Sequence, residues 1–563
     1  IEGPDFDNPD QLTQLVLLIQ ADSANTLASA LDQAGVLART EQASILLDEP
    51  FPGTENFQTM QRFDFYGDTP VEIIDIAMEQ THRLTKEWMY LPALFLLLIV
   101  GWSQRKRRSK EVSVAVSHSI FGRAPKLDLP TAVAGDGIYL IDSEGNRYLD
   151  ACGGAAVSCL GHTPKKVIDR ACQQLQTMAF AHTGFFTSEP AEQLADVLVS
   201  QAPDGIDHVY FVSGGSEAME AALKLARQYF LEIGEPDRTH IIGRRQSYHG
   251  NTLGALGSGG NQWRRRQFEP LLPTHMSHIS PCHYYRWANP GETPEAYGLR
   301  VANELEQEIL RIGEGRVAAF VAEPVVGATM GAVPAVDGYY KRIREICDQY
   351  GVLLILDEVM CGMGRTGHLY ACDHDQVKPD MLCIAKGLGA GIQPIGAMLC
   401  QHFIYQAIVD GSGFFQHGHT YMGHPTACAA GLAVMEELTA PGMMEHVQAM
   451  GSLLQSSLNA SLGSHPWVGD IRGRGLFVGI ELVGDRETKA PLDPALKTAS
   501  QIKKVAMSHG LMCYPMSGTI DGQLGDHILL APPFIIEAAD VQIISDRLTR
   551  AIGDVSANRD RAA

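Results

Sequence analysis

The sequence predicts an α/β protein whose main part contains a mostly parallel sheet with helices on both faces. From about residue 130 onwards, short apolar runs alternate with amphipathic segments of helical periodicity. The apolar runs carry almost no charge, as is typical of strands buried on both faces. The chain of 563 residues also exceeds the roughly 250 to 300 residues that one hydrophobic core supports. We therefore expect more than one domain.

The first element is an acidic segment, residues 1–87, with sixteen Asp and Glu side chains against four Arg and Lys. Apolar runs at 15–20 and 43–47 predict two strands. Helices are predicted from Asp22 and from Thr69, where Thr69-Pro-Val-Glu72 has a capping-box arrangement. Together these elements predict a small α/β segment. It contains no cluster of ligand-type residues, so its function is not predicted.

Residues 88–104 carry no charge and are rich in leucine. As a helix they would reach about 25 Å, the lower limit for crossing a bilayer. Trp88 and Trp102 lie near the two ends like interfacial anchors, and a basic linker over 105–111 follows at once. We therefore predict a single transmembrane helix that places residues 105–563 in the cytoplasm and residues 1–87 outside, and so tethers the catalytic part to a membrane. The alternative is a buried helix.

Composition narrows the remaining possibilities. The net charge of −21 disfavours nucleic acid as a partner, because phosphate backbones bind positive surfaces. Eleven cysteines, an odd number without a CxxC pair, favour a thiol-reducing compartment over a disulfide-bonded scaffold.

Chemistry is expected where the strands end, because ligands of such sheets bind beyond the carboxyl ends of the strands. The predicted elements of this region are strands over 208–212, 317–322, 352–356 and 381–384, with helices over 217–230 and 339–349.

Three strand ends carry informative residues. Ser213-Gly-Gly-Ser216 precedes a helix and could bind a phosphate at the helix N-terminus, although Ser-Gly in this position is often only a cap. Asp357 and Lys386 are charged residues directly at the ends of aliphatic runs, where a charge is costly to bury without a partner. A phosphate site, a buried carboxylate and a lysine of lowered basicity are what pyridoxal phosphate chemistry requires.

Six motifs in order resemble those of the class III (omega) aminotransferases, and the resemblance covers about residues 112–555. The motifs are Ser213-Gly-Gly-Ser-Glu-Ala, Tyr248-His-Gly-Asn, Ala322-Glu-Pro-Val, Leu356-Asp-Glu-Val, Ala385-Lys-Gly-Leu-Gly and His419-Thr-Tyr-Met-Gly-His-Pro. The resemblance implies fold type I, in which a large domain with a seven-stranded sheet is joined to a small α/β domain.

The resemblance also implies the cofactor, pyridoxal 5′-phosphate, and a role for each matching residue. Lys386 would bind the cofactor as a Schiff base and afterwards move the substrate proton, while Asp357 would keep the ring nitrogen protonated. The other implied contacts are Gly215 and Ser216 to the phosphate, Tyr248 and Val359 to the two ring faces, Glu323 near the ring hydroxyl, and Thr420 to the phosphate of a neighbouring subunit.

The resemblance therefore implies a homodimer that shares its active sites and transfers an amino group from an amine donor to a 2-oxo acid by a ping-pong route. Within the catalytic part, we expect the small domain to be formed by residues 112–170 and 436–563, with the large domain over 171–435.

Substrate choice is less well defined by these motifs. Many members carry an arginine shortly before the stretch that is Gly525-Asp-His-Ile-Leu-Leu-Ala-Pro-Pro533 here, yet no Arg or Lys lies between Gly510 and Arg547. Arg472 is a candidate replacement that could grip a substrate carboxylate. A pocket lined by Phe185, Phe186 and Tyr514 would favour apolar or amine substrates.

Other patterns are interpreted as decoys. Gly362-Met-Gly-Arg-Thr-Gly367 matches GxGxxG, but no helix is predicted to follow, so a nicotinamide oxidoreductase is the weaker alternative. Arg264-Arg-Arg266 is more typical of an exposed or interface surface than of an anion site. His417, His419 and His424 have no carboxylate or cysteine nearby to complete a metal site, and no metal is predicted.

Alternative functions also remain open. They are a decarboxylase or an aminomutase of the same family, and a tethered binding protein.

Overall fold

The structure, a computed structural model, describes residues 14–20, 42–46, 60–66 and 119–562. The chain divides into two units, residues 1–127 and residues 128–563. The transmembrane helix predicted at 88–104 and the helices predicted from Asp22 and Thr69 lie outside the described residues. None of the helices in the described ranges is both long and apolar enough to cross a membrane.

The N-terminal unit contains an antiparallel sheet of three strands, β1 (Gln14–Gln20), β2 (Gln42–Leu46) and β3 (Met60–Tyr66), in the order β1-β3-β2. The strands predicted at 15–20 and 43–47 are confirmed as β1 and β2. The central strand β3 was not predicted, because Arg62 and Asp64 interrupt its apolar pattern.

The C-terminal unit contains seventeen of the described strands. They are β4 (Ala132–Asp136), β5 (Tyr139–Asp142), β6 (Arg147–Asp150), β7 (Ile206–Val212), β8 (His240–Arg244), β9 (Met276–Ile279), β10 (Val317–Ala322), β11 (Val325–Val326), β12 (Val333–Pro334), β13 (Leu353–Asp357), β14 (Met381–Ile384), β15 (Gly396–Gln401), β16 (Val468–Arg474), β17 (Phe477–Leu482), β18 (Leu511–Met512), β19 (Tyr514–Ser517) and β20 (Asp526–Leu530).

Helices connect most of these strands. They are α1 (Gly153–Ala156), α2 (Lys165–Thr177), α3 (Glu189–Ser200), α4 (Gly215–Glu232), α5 (Leu253–Ser258), α6 (Gln262–Arg265), α7 (Tyr284–Trp287), α8 (Pro294–Ile312), α9 (Tyr339–Tyr350), α10 (His402–Asp410), α11 (Pro425–Leu438), α12 (Met443–Leu462), α13 (Thr498–Ser508) and α14 (Ala538–Ala562).

The main sheet has seven strands in the order β7-β15-β14-β13-β10-β8-β9. All of them are parallel to one another except β15, which runs antiparallel to both of its neighbours. The strands predicted over 208–212, 317–322, 352–356 and 381–384 are confirmed as β7, β10, β13 and β14, and the two predicted helices as α4 and α9. The expectation of a mostly parallel seven-stranded sheet is thereby confirmed.

Each central strand is apolar on both faces because both faces are covered. In β10, Phe320 and Ala322 belong to one core cluster, whereas Ala319 and Val321 belong to another. Successive side chains of a strand point to opposite faces, so this alternation divides the core into two layers. Helix α4 contributes to the layer that contains Ala319, and helix α9 contributes to the other.

Two smaller sheets complete this unit, each with four strands. One is antiparallel in the order β16-β17-β20-β19, and the other has the order β18-β6-β5-β4. In the second sheet Leu511 pairs with Leu149, which joins segments from the two ends of the unit. This pairing agrees with a small domain built from both ends, while the boundaries at 170 and 436 stay predictions.

Candidate active site

A cavity of about 450 Å³ lies at the carboxyl ends of the parallel strands β7, β10, β13 and β14. Its volume is within the range typical of small-molecule sites. Most of the residues that the sequence singled out line it. They are Gly215, Ser216, Tyr248, Glu323, Asp357, Val359 and Lys386.

The turn between β7 and α4 forms one wall of this cavity. Helix α4 begins at Gly215 after the extended residue Gly214, and the first N–H groups of a helix have no intrahelical acceptor. Ser216 Oγ accepts a hydrogen bond from the backbone N–H of Asn251 at 3.0 Å, which ties the turn to a neighbouring loop. A Cβ on Gly215 would lie 2.6 Å from Val359 Cγ1, so only glycine fits there. The wall is thus a small, donor-rich surface suited to an anion.

Asp357 ends β13 and is almost completely buried. One carboxylate oxygen lies 2.8 Å from His249 Nδ1, and the other accepts the backbone N–H of Val359 at 3.0 Å. The buried His249 Nε2 has no hydrogen-bond partner among the described residues. Sequence reasoning did not single out His249, although it follows Tyr248 in one of the six motifs. It orients the Asp357 carboxylate toward the cavity.

Lys386 follows β14 by two residues and opens a short 3-10 turn, Lys386–Leu388. Its φ of 46° lies in the left-handed region, which is rare and strained for a residue with a side chain. Burial lowers the pKa of its amine to about 8, although the nearby carboxylates of Asp357 and Glu323 oppose that effect. About a tenth to a fifth of this amine is therefore neutral and nucleophilic near physiological pH, far more than for an ordinary lysine.

Glu323, just after β10, is fixed by two backbone donors. Its carboxylate accepts from the N–H of Tyr248 at 3.1 Å and from the N–H of Gly327 at 2.9 Å. Burial raises the pKa of Glu323, and the charge of Asp357 adds to that shift. In the structure, Glu323 thus holds the loop that carries Tyr248.

Five predicted residues do not line this cavity in the described part of the chain, and four of them are Phe185, Phe186, Tyr514 and Thr420. Phe185 and Phe186 are 82% and 68% exposed, so the single chain does not bring them into a pocket with Tyr514. Tyr514 lies on β19 and packs with Met360, a lining residue, against a small apolar cluster. Thr420 lies in an exposed turn before α11.

Arg472 is the fourth predicted substrate residue, and the structure gives its guanidinium another role. On β16, Nη1 pairs with Glu481 at 2.5 Å and with Asp470 at 3.0 Å. Nε and Nη2 donate to the backbone carbonyls of Gly331 and Met330. All its donor groups are thus engaged by protein acceptors. Arg472 supports the loop that precedes β12 and does not line the cavity.

The GxGxxG pattern at 362–367 forms consecutive turns and does not open a helix; the next helical element is a short 3-10 turn, Ala371–Asp373, four residues later. Arg365 within it is buried, and its Nη1 donates to the carbonyls of Leu476 and Pro532. The pattern therefore lacks the helix N-terminus on which a dinucleotide phosphate would bind. This geometry agrees with the interpretation of the motif as a decoy.

Of the three histidines near Thr420, His419 Nε2 lies 3.0 Å from Ser213 Oγ, beside the cavity. A different group, Asp207, His208 and His402, has side-chain atoms close enough to hold a metal ion. These residues lie at the start of β7 and directly after β15, at the sheet edge opposite to the cavity. This possible metal site is thus separate from the cavity, whose lining offers amine, carboxylate and backbone groups.

Comparison with known proteins agrees with this geometry. A family model described as aminotransferase class-III matches residues 125–552. The chain belongs to the class III aminotransferases. A second family model, described as a domain of unknown function (DUF3394), matches residues 1–110.

Relatives and solved structures match the same part of this aminotransferase. An uncharacterized aminotransferase of Schizosaccharomyces pombe is 46% identical over 433 residues, which cover 77% of this chain and 94% of that protein. Putrescine–pyruvate aminotransferase of Pseudomonas aeruginosa is 34% identical, covering 72% of this chain and 86% of the relative. The omega transaminase of Pseudomonas jessenii in complex with PMP has a TM-score of 0.73 at 33% identity, covering 77% and 94% of the two chains.

Class III aminotransferases use pyridoxal phosphate, and the cavity of this member fits that group. The N-terminus of α4 offers free N–H groups for the phosphate, and Asp357 offers a carboxylate for the ring nitrogen. Lys386 offers an amine of lowered pKa for the aldehyde. The chain is therefore a pyridoxal-phosphate-dependent aminotransferase, as its motifs predicted.

Proposed function

We propose that the enzyme transfers an amino group from a primary amine or an ω-amino acid to a 2-oxo acid. The observation that carries this proposal is the meeting of Lys386, Asp357 and the α4 N-terminus in one cavity. The Pseudomonas aeruginosa relative, by its name a putrescine–pyruvate aminotransferase, supports an amine donor and a 2-oxo acid acceptor.

Each lining residue has a proposed part in holding the cofactor. Gly215 and Ser216 bind the phosphate, while Tyr248 and Val359 pack against the two faces of the ring. Asp357, oriented by His249, keeps a proton on the ring nitrogen because an adjacent buried anion favours the protonated form. When bound, pyridoxal phosphate supplies an electron sink that stabilises negative charge at the substrate carbon.

Lys386 has two proposed tasks. Its Nζ anchors the cofactor, and later it takes a proton from the substrate carbon and returns one to the cofactor side. An amine with a pKa of about 8 suits both directions of transfer, because proton transfer is most efficient when the pKa of the group lies near the working pH. Because donor and acceptor would occupy the same cavity in turn, the donor's product leaves before the acceptor binds, which is a ping-pong order.

The proposal is tested with the cofactor-loaded enzyme and an amine donor. We expect the visible absorption of the bound cofactor to bleach on addition of the donor and to return on addition of pyruvate. Lys386→Ala should lower the turnover rate by about 100-fold to 10000-fold, as for loss of a general acid–base group. Lys504→Ala, at an exposed position on α13, is the matched control. A loaded enzyme that bleaches with none of several amines would refute the proposal.

A decarboxylase or aminomutase would use the same lining residues, so product analysis separates these reactions. Transamination gives one oxo product and one new amine per turnover, with no release of carbon dioxide. Release of carbon dioxide in step with substrate loss would favour the decarboxylase. Isomerisation of the amino acid without an acceptor would favour the mutase.

We further propose a homodimer in which Thr420 reaches the phosphate bound by the partner. Its exposed position in the turn before α11 supports this. A second cavity of about 300 Å³, lined by Tyr421 and Gly423, shares Ser213 and Pro394 with the first and so connects this turn to the site.

A cytoplasmic position with a membrane tether at 88–104 is also kept as a proposal. The uncharged run, the basic residues after it and eleven free cysteines support it. Cell fractionation tests it. The full chain should sediment with membranes after a carbonate wash, and a chain that starts at residue 112 should not.

A further inference from the structure

The three consecutive arginines at 264–266 occupy three different environments. Arg265 is buried, and its Nη1 donates to the carbonyls of Gly257 and Gly259 at 2.5 and 2.8 Å, so it holds the backbone together. Arg266 is exposed. Arg264 is partly buried and contacts an aromatic ring. The expectation of an exposed or interface surface therefore does not hold for Arg265.

Arg264 lies over the ring of Tyr248, with its Cζ 4.2 Å from the ring centroid. Tyr248 lines the cavity, so the guanidinium is stacked on a residue of the site wall. Helix α6 fixes this position, because Asn261 caps the helix by accepting the backbone N–H of Arg264 at 3.2 Å. An aromatic face holds a planar guanidinium in place while leaving its in-plane donors available.

The Arg264 guanidinium has no hydrogen bond or ion pair with any described residue. Arg264 lies behind Tyr248 and is not itself a lining residue, and the one cationic side chain in the described lining of the cavity is Lys386, which the cofactor requires. Burial is the main cause of the lowered pKa of Lys386, and the positive charge of Arg264 adds to it. Arg264 is thus close enough to affect the site electrostatically and free to bind an anion.

Other guanidinium groups are already committed. Arg472 is paired with Glu481 and Asp470, and Arg474 forms two hydrogen bonds to Asp375. The segment between Gly510 and Arg547 contains no Arg or Lys. The usual source of a carboxylate clamp is missing, and the candidate replacement on β16 is occupied.

We propose that Arg264 binds the carboxylate of the amino donor and of the 2-oxo acid, and so determines the enzyme's preference for substrates that carry one. This inference rests on the proposed transaminase function. The planar guanidinium can donate two parallel hydrogen bonds to a carboxylate, and Tyr248 fixes its orientation. Substrates without a carboxylate would not use it.

The test compares 4-aminobutyrate with butylamine, two donors of equal chain length that differ by the carboxylate. In single-turnover bleaching of the loaded enzyme, Arg264→Gln should lower kcat/KM for 4-aminobutyrate by about 10- to 100-fold, as expected for loss of charge-assisted hydrogen bonds. The value for butylamine should change by less than about threefold. Arg264→Lys should restore part of the loss, because it keeps the charge without the planar pair of donors.

Arg266→Gln, at the exposed neighbouring position, is the matched control and should leave both donors unaffected. Equal losses for the two donors in Arg264→Gln would overturn the proposal, because they would indicate a structural role. An unchanged preference would overturn it as well.

A binding measurement separates this inference from the proposed function. Calorimetric titration of the loaded enzyme with succinate, an unreactive dicarboxylate, should give a Kd that rises by the same factor in Arg264→Gln. If the wild-type enzyme reacts with no amine, the transaminase proposal fails, yet weaker succinate binding in the variant still supports Arg264 as the anion site. Unchanged succinate binding would refute it.

Discussion

A lysine that is largely removed from water and has no ion-pair partner raises the free energy of the folded chain, and Lys386 is such a residue. The cost is reduced because the amine gives up its proton easily, as its pKa of about 8 indicates. The carboxylates of Asp357 and Glu323, near the ends of neighbouring strands, raise the pKa of Lys386 and so oppose the effect of burial. Neither forms a salt bridge to Lys386 within the described residues. Strain at Lys386, with its positive φ, is a further sign of a functional position.

This pKa predicts how attachment of the cofactor depends on pH. The neutral fraction of an amine with a pKa of about 8 rises about tenfold between pH 7 and pH 9. We therefore expect the initial rate of pyridoxal phosphate attachment to the cofactor-free protein to rise by about that factor. Borohydride reduction followed by mass spectrometry of the Lys386 peptide measures it. A rate that rises about 100-fold over the same range and keeps rising above pH 9 would show an ordinary lysine, with a pKa of about 10.4, and contradict the prediction.

Single residues differ in how readily the sequence reveals them. Asp357 and Lys386 could be predicted because a lone charge at the end of an aliphatic strand needs a chemical reason. His249 could not, because a histidine in a loop is common and only the fold brings it to Asp357, 108 residues away. Arg264 was missed for the same reason, since its contact with Tyr248 depends on the course of the loop between them.

At the scale of elements, the parallel strands could be predicted and β15 could not. Strands β10, β13 and β14 are buried along their whole length, and their continuous apolar runs reveal them. The run Gly396–Gln401 is equally apolar, but its antiparallel direction depends on pairing with β7 and β14. Periodicity carries no information on direction. A local pattern also does not show which distant strand a segment pairs with, as the pairing of β6 with β18 illustrates.

The close approach of α4 to the strand-end loop after β13 gives an element-scale prediction. In Gly215→Ala, the new Cβ would meet Val359 Cγ1 at 2.6 Å, so either the helix start or Val359 must move. We expect the Kd for pyridoxal phosphate to rise at least about tenfold and stability to fall by about 1 to 3 kcal/mol, as for overpacking. Cofactor fluorescence titration and thermal unfolding measure the two effects.

Gly553→Ala in α14 is the control for that substitution. It has nothing within 4 Å of the added Cβ, so it should leave cofactor binding unchanged. It should also raise stability slightly, because alanine is favoured over glycine within a helix. Equal cofactor affinities of Gly215→Ala and the wild type would contradict the packing argument.

For the whole molecule, two regions with separate matches are joined in one chain. The aminotransferase match begins at residue 125, and the division into two units falls between residues 127 and 128. Composition already separates them, since the acidic charge is concentrated in the first 87 residues and the cysteines all lie at or after Cys152. The sequence thus predicts the division into two regions, whereas composition alone does not indicate what the first region does.

The proposed sharing of active sites between two subunits predicts complementation. One protomer with Lys386→Ala and another with Thr420→Trp are each expected to be inactive alone. In a mixed dimer, one site combines the intact Lys386 and Thr420, so random mixing should restore roughly a quarter of wild-type activity. Sedimentation first verifies that both variants remain dimers. Activity that does not exceed the sum of the separate variants would contradict the shared site.

The direction of β15 has a practical consequence for directed evolution. Because this strand enters the sheet from the cavity side, Gln393, Pro394 and Ile395, which precede it, line the cavity, while His402 after it lies at the far edge. Randomised libraries aimed at larger amines should therefore concentrate on the short segment before β15. Substitutions after that strand would instead change residues that do not line the cavity.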